Sequence, residues 1–212
     1  MSKNTRNRIL LTAVAALLLV VMTVGGTLAW LADTTSEVTN TFKPSNIDIE
    51  LWEHNLQDDN TLGTTEVTAN NNYKMVPGQT VPKDPFVRVK ANSEAIWIFV
   101  TITKSDNYST YLEDYVVKSS EWTKLDSASS GNTEVWYKQQ AAVTADTIIE
   151  ILNPQTLTVK EGVTNAQMAA LNADNYPTLK FQAYAIQQAG FETVGEAWTE
   201  VRTNKPAVYP AP

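Results

Sequence analysis

The chain has 212 residues, with 16 basic and 23 acidic side chains, a formal charge of −7, one histidine and no cysteine. Three basic residues and no acids fall in the first 32 positions, which leaves 13 basic against 23 acidic residues beyond them, a net −10. That balance excludes nucleic acid as a partner, since phosphate needs basic patches to neutralise it, and the missing cysteines exclude a disulfide framework and an N-terminal lipoprotein anchor.

The chain begins with Lys3, Arg6 and Arg8, followed by an apolar run from Ile9 to Val24 and the small residues Gly25 and Gly26. A basic stretch, a hydrophobic block and a small-residue exit are the grammar of a secretory signal. Residues 1–32 are therefore expected to form a signal helix, ended at Gly25-Gly26. Cleavage is expected after Ala29, with Trp30 and Ala32 as alternative cut points. A retained anchor is the other reading, because extending the run to Ala32 reaches the roughly 20 apolar residues of a membrane span. The positive-inside rule sends the rest of the chain outside in both cases.

Residues 33–46 are polar and rich in Thr, Ser and Asn, and read as an extended arm. Ile47, Ile49 and Leu51 alternate with Asp48, Glu50 and Trp52, the period of a half-buried strand. Residues 54–72 read as a loop or hairpin. Met75-Val-Pro-Gly-Gln79 marks a turn. Pro85 to Val89 and Ala95 to Thr103 are strands; the second is apolar throughout and is expected at the centre of a sheet, buried on both faces. Asn92-Ser93-Glu94 between them predicts a hairpin. Tyr108, Tyr111, Leu112, Tyr115 and Val116 fall at helical spacing and predict a short helix. Strands follow at Glu121–Thr123, Thr133–Gln140, Thr156–Lys160 and Thr178–Gln187, and Ile148–Leu152 reads as a strand or linker. Thr164 and Gln167 form a capping box, which starts a helix expected to reach about Ala173. A last helix covers Val194–Val201. Many short strands with two or three brief helices predict a mainly β protein, an antiparallel β-sandwich of jelly-roll type, as one domain over residues 47–203. The Pro-rich tail 204–212 carries no hydrophobic sorting signal.

Two stretches carry a family resemblance. Gly26-Thr27-Leu28-Ala29-Trp30-Leu31-Ala32-Asp33, followed by Asn40-Thr41-Phe42 and Asn46-Ile47-Asp48-Ile49-Glu50-Leu51, resembles the N-terminus of the TasA/camelysin family of exported Gram-positive proteins. The Pro-Gly turn, short strand, Asn-containing turn and long strand over residues 75–103 resemble the segment that begins the first hairpin of the family's sandwich. The resemblance implies processing by a dedicated signal peptidase of the SipW type. It also implies a role as a secreted subunit of extracellular biofilm matrix fibres, joined by donor-strand exchange. Its partners would then be copies of itself and other matrix proteins.

Catalytic chemistry is poorly served by the sequence. There is no Gly-x-Ser-x-Gly elbow and no His-Glu-x-x-His, so the metalloprotease label that part of the family carries finds no motif here. His54 reads as an exposed loop residue. Asp58-Asp59-Asn60-x-x-Gly63 lacks the later ligands of a calcium loop, Leu62 and Ala69 standing where they should be, though a looser calcium site stays open. Trp52, Trp97, Trp122, Trp136 and Trp198 read as packing residues rather than a sugar platform. No enzyme activity, cofactor or metal ligand is expected.

The remaining feature is architectural. A sandwich has open edges, and an open edge accepts a strand from another chain. Phe42, Ile47, Ile49 and Leu51 are the candidate donor residues, and donation from one copy to the next would build an open filament. The alternative is that Ile47–Leu51 pairs within its own subunit. A monomeric surface adhesin for glycan or protein is the competing function. In either case the protein is expected outside the cell, and touches the membrane only through an uncleaved signal.

Overall fold

A computed structural model describes residues 2–28, 46–68 and 71–204. The chain divides into two compact units, residues 1–43 and 44–212. The first contains helix α1 (Lys3–Leu28). Gly25 and Gly26 do not end it: a glycine weakens a helix by about 1 kcal/mol relative to Ala but leaves its hydrogen bonds intact. Among the described residues no helix is long and apolar enough to cross a membrane.

The second unit is an antiparallel β-sandwich. Its strands are β1 (Ile49–Leu56), β2 (Leu62–Val67), β3 (Thr80–Pro82), β4 (Phe86–Val89), β5 (Ile96–Lys104), β6 (Thr123–Lys124), β7 (Thr133–Gln140), β8 (Thr147–Glu150), β9 (Thr156–Thr158) and β10 (Leu179–Gln187). The first sheet has the order β2-β1-β4-β8, the second β10-β5-β7-β6, and β3 pairs with β9 in a short ribbon. Two four-stranded antiparallel sheets match the expected sandwich and the strand count of a jelly roll.

The core follows from the period-2 pattern of the strands. Ile49 and Leu51 of β1, Val87 and Val89 of β4 and Ile149 of β8 face Ile96, Ile98, Val100 and Ile102 of β5 and Ala183 of β10. The alternate residues of β5 point the other way. There Phe99 joins Val135 under helix α4 (Val194–Asn204), whose Ala197, Trp198 and Val201 close a second apolar layer. The unbroken apolarity of β5 thus has its cause: it is a central strand with packing on both faces.

Three local expectations are corrected. Asn92 does turn the chain, with φ of 65°, a backbone state that Asn tolerates better than most residues. The turn carries the chain from the first sheet to the second instead of closing a hairpin. β4 pairs with β1 and β8 while β5 pairs with β10 and β7, and the crossing is tied down by Asn92 N–H to Val143 O and Val143 N–H to Ser93 O. The stripe from Tyr108 to Val116 yields one helical turn, α2 (Tyr108–Tyr111). After it, Leu112 bridges to Val159 and Glu113 N–H bonds Thr158 O, so pairing with β9 wins over helix continuation. The capping box on Thr164 forms with both its bonds, but helix α3 (Asn165–Ala169) stops short of Ala173. Residues 54–72 contain the end of β1 and all of β2, an antiparallel hairpin turned at Asn60 (φ 62°). The Pro77-Gly78 turn forms with Gly78 at φ 77°.

Candidate functional site

The candidate donor and cleavage residues separate into three groups. Phe42, Ala29, Trp30 and Ala32 lie outside the described residues, as does the arm up to residue 45. Ile47 is half-buried against the core. Ile49 and Leu51 are buried, and β1 pairs over this stretch with β4, Ile49 opposite Val89 and Leu51 opposite Val87. Within the subunit, then, the intramolecular pairing holds for Ile49 and Leu51. Their side chains complete their own core, and giving them to a neighbour would open it. A donated segment has to lie upstream of them.

The candidate acceptor edge is that of β10. Its nine residues pair without a break to β5, from Leu179 opposite Lys104 to Gln187 opposite Ile96. Ser105 N–H bonds Thr178 O at one end and Gln188 N–H bonds Ala95 O at the other. In an antiparallel ladder the residues facing the partner alternate with residues facing away. The even-numbered residues of β10 therefore bond to β5. Leu179, Phe181, Ala183, Ala185 and Gln187 turn their amides to the outer edge, and among the described residues no strand pairs there. The side chains of Leu179, Phe181, Ala183 and Ala185 meanwhile face the core between the sheets. β10 carries no Pro, no bulge and one charge, Lys180, so it lacks the usual devices that blunt an edge.

A buried polar cluster sits beside this edge, and sequence reading missed it. β1 outruns β4, so its tail loses its neighbour on that side and side chains stand in for one. Asp84 accepts His54 N–H at 3.3 Å. Asn71 accepts Leu56 N–H at 3.0 Å and donates to His54 O at 3.0 Å. His54 is thus a strand residue rather than a loop residue, its Nδ1 2.6 Å from Asp84 Oδ2. Glu53, on the inward face, holds Lys83 Nζ at 2.6 and 2.8 Å, and the ammonium lies 5.5 Å from the Tyr73 ring and 5.3 Å from the Phe181 ring. The Tyr73 hydroxyl is buried without a hydrogen-bond partner. Burial, with the nearby charges of Glu53 and Asp84, pushes its pKa well above the ordinary tyrosine value. Asn71 is near enough to ease that shift, yet its amide hydrogens are spent on Glu53 Oε2 and His54 O. These partners are 15 to 30 residues apart in sequence, and no motif announces them.

Among the described residues no group of three or more His, Cys, Asp or Glu side chains could hold a metal ion. Asp59, from the Asp58-Asp59-Asn60 run, caps its own turn through Thr61 N–H at 3.0 Å and the Thr61 hydroxyl at 2.6 Å. Of the tryptophans, Trp122 and Trp198 are buried, while Trp52, Trp97 and Trp136 are half-buried.

The chain is thus an antiparallel β-sandwich in which, among the described residues, one edge of the long strand β10 is left unpaired. No family model matches it, and no curated protein matches it. Among solved structures it is similar to the sixth cohesin of scaffoldin B from Acetivibrio cellulolyticus, solved in complex with a Cel5 dockerin. The identity is 11%, over 67% of this chain and 82% of that one, at a TM-score of 0.30. A likeness of that size carries no argument about function.

Proposed function

We propose that this is an exported, non-catalytic structural subunit of an extracellular matrix fibre. It assembles when the N-terminal arm of one copy, freed by removal of the leader, adds as a strand to the sandwich of the next. The observation that carries this reading is the edge of β10, nine residues long, uninterrupted and paired with no other described strand. Main-chain bonds to Leu179, Phe181, Ala183, Ala185 and Gln187 would supply affinity, and alternate side chains of the arm would set register. The buried positions of Ile49 and Leu51 narrow the donor to residues 33–45, with Phe42 its large apolar side chain. Donation of this kind is head-to-tail and does not close, so it makes filaments. The acidic surface and the basic leader fit export, with the membrane touched only by an uncleaved leader.

Deletion of residues 33–45 from the leaderless chain tests the reading. Asn46 stays, because its carbonyl accepts Glu94 N–H at 3.0 Å. The expected product is a folded monomer that forms no fibres in negative-stain images. Fibres as abundant as those of the undeleted chain would sink arm donation. A leaderless chain that stays monomeric at every concentration would favour the adhesin instead.

A further inference from the structure

We propose that the extended segment 71–76 is a removable fifth strand of the second sheet. It zips onto the open edge of β10 in the free subunit and leaves when a neighbour's arm arrives. The second half of this statement rests on the fibre reading; the docking onto β10 concerns one chain alone.

The segment already has strand character. Asn71, Tyr73 and Met75 are half-buried while Asn72, Lys74 and Val76 are exposed, the alternation of an extended chain. Lys74 spends both of its backbone groups on the side chain of Asn60, its N–H on Oδ1 at 3.1 Å and its carbonyl on Nδ2 at 2.8 Å. Neighbouring residues in an extended chain direct their amides to opposite sides, so Tyr73 and Met75 turn theirs away from Asn60. Both residues share neighbours with β10. Tyr73 and Phe181 flank the same Lys83 ammonium, and Met75 and Leu179 pack against the same cluster of Tyr108, Tyr111 and Val159. These shared neighbours put the segment beside β10, and the proposed docking is antiparallel, with Tyr73 set level with Phe181 and Met75 level with Leu179. Those are two of the β10 residues whose amides face the open edge.

Among the described residues no backbone hydrogen bond joins the segment to β10. Unspent strand groups face an unspent edge in matching register. The Lys83 ammonium lies against both the Tyr73 and the Phe181 ring, and the zipped state has to accommodate it. The unpartnered Tyr73 hydroxyl marks the same spot as one where rearrangement has something to gain.

In this register Lys74 and Lys180 lie opposite each other on the outward face, and the chain has no cysteine to confuse a cross-link. The test is the double variant Lys74→Cys/Lys180→Cys in the leaderless chain, whose sandwich carries its own core. It is oxidised with glutathione disulfide at low micromolar protein, mapped by mass spectrometry, and then allowed to assemble with and without reductant. An intramolecular disulfide is expected in the folded monomer. The oxidised form should assemble at least about tenfold more slowly, as for a site open one part in ten, and reductant should restore the rate. Absence of the intramolecular disulfide would overturn the proposal, and so would an oxidised chain that assembles as fast as the reduced one. Should no variant form fibres, the fibre reading fails and amide exchange decides the docking. Exchange at Phe181 should be faster in Met75→Pro, which lacks the N–H facing β10, than in the unsubstituted monomer; equal exchange rejects the docking.

Discussion

The outer faces of the two sheets solve the same problem in opposite ways. Both sheets bury one face in the shared core and have a second face to cover. On the first sheet that face carries Glu50, Trp52 and His54 from β1 and Phe86 and Arg88 from β4. Arg88 ion-pairs with Glu50 and Glu66, lies 5.6 Å from the Trp52 ring and 5.7 Å from Phe86, and Lys90 continues the line to Asp146 at 2.9 Å. On the second sheet the face carries Phe99 and Val135, fully buried beneath α4. α4 follows β10 after a short loop, so its apolar side is delivered to the nearest uncovered apolar strands. Among the described residues no helix follows a strand of the first sheet, and its outer residues are mostly charged or amphipathic, Phe86 and Ile148 being the apolar ones. Apolar burial is the larger stabilising effect of the two, because exposed ion pairs contribute little.

Substitutions on the two faces should separate these regimes. The largest effect is expected from Trp198→Ala. Its ring packs 5.1 Å from Phe99 and 5.8 Å from Tyr184, and truncating it should cost about 3 kcal/mol, the low end for a large aromatic. The low end applies because its buried indole N–H has no partner, so its removal also relieves a desolvated donor. Thermal unfolding and a rise in hydrophobic-dye binding would report it. A loss equal to that of an ion-pair variant would contradict the ranking.

Glu66→Gln on the first sheet should cost less, about 0.5–1 kcal/mol at neutral pH. The hydrogen bond from Arg88, helped by the charges of Arg88 and Lys90, holds the Glu66 carboxyl below its ordinary value of 4.5. A depressed acid gives its full contribution above the unfolded value, and loses it as pH falls through the lower folded value. The stability difference between the unsubstituted protein and the Glu66→Gln variant should therefore shrink below pH 4.5. Chemical denaturation at pH 7 and at low pH measures this, and a difference that grew on acidification would refute it. Lys90→Ala is expected to change least. Its pair with Asp146 is solvent-accessible, and whatever it adds should vanish in 1 M salt, where the screening length falls to about 3 Å. A salt-independent loss in the same denaturation series would show that Lys90 acts through packing instead.

The residue pattern made much of this architecture legible, and particular residues show where it stopped. The alternation of Ile49 and Leu51 with Glu50 and Trp52, the apolar run of β5, the Pro77-Gly78 turn and the Thr164–Gln167 capping box are local statements. Each depends on residues within one turn or one strand, so sequence spacing decides it. The helical stripe of Tyr108–Val116 is local too, and it misled because strand β9, some forty residues later, offered the same backbone a ladder. His54 misled for the same reason: its polar neighbours suggest a loop, but β2 and Asp84 claim it.

What the sequence by itself determined is the identity of most strands, the face each one turns inward, and the basic-apolar N-terminal segment that precedes them. What only the tertiary structure decided is which sheet each strand joins, the pairing of Lys83 with Glu53 and of Asp84 with His54, and that no described strand pairs with the outer edge of β10. Local periodicity fixes which side of a segment is apolar. Which distant segment covers that side, and which edge stays uncovered, follows from the competition among all the strands for the same core.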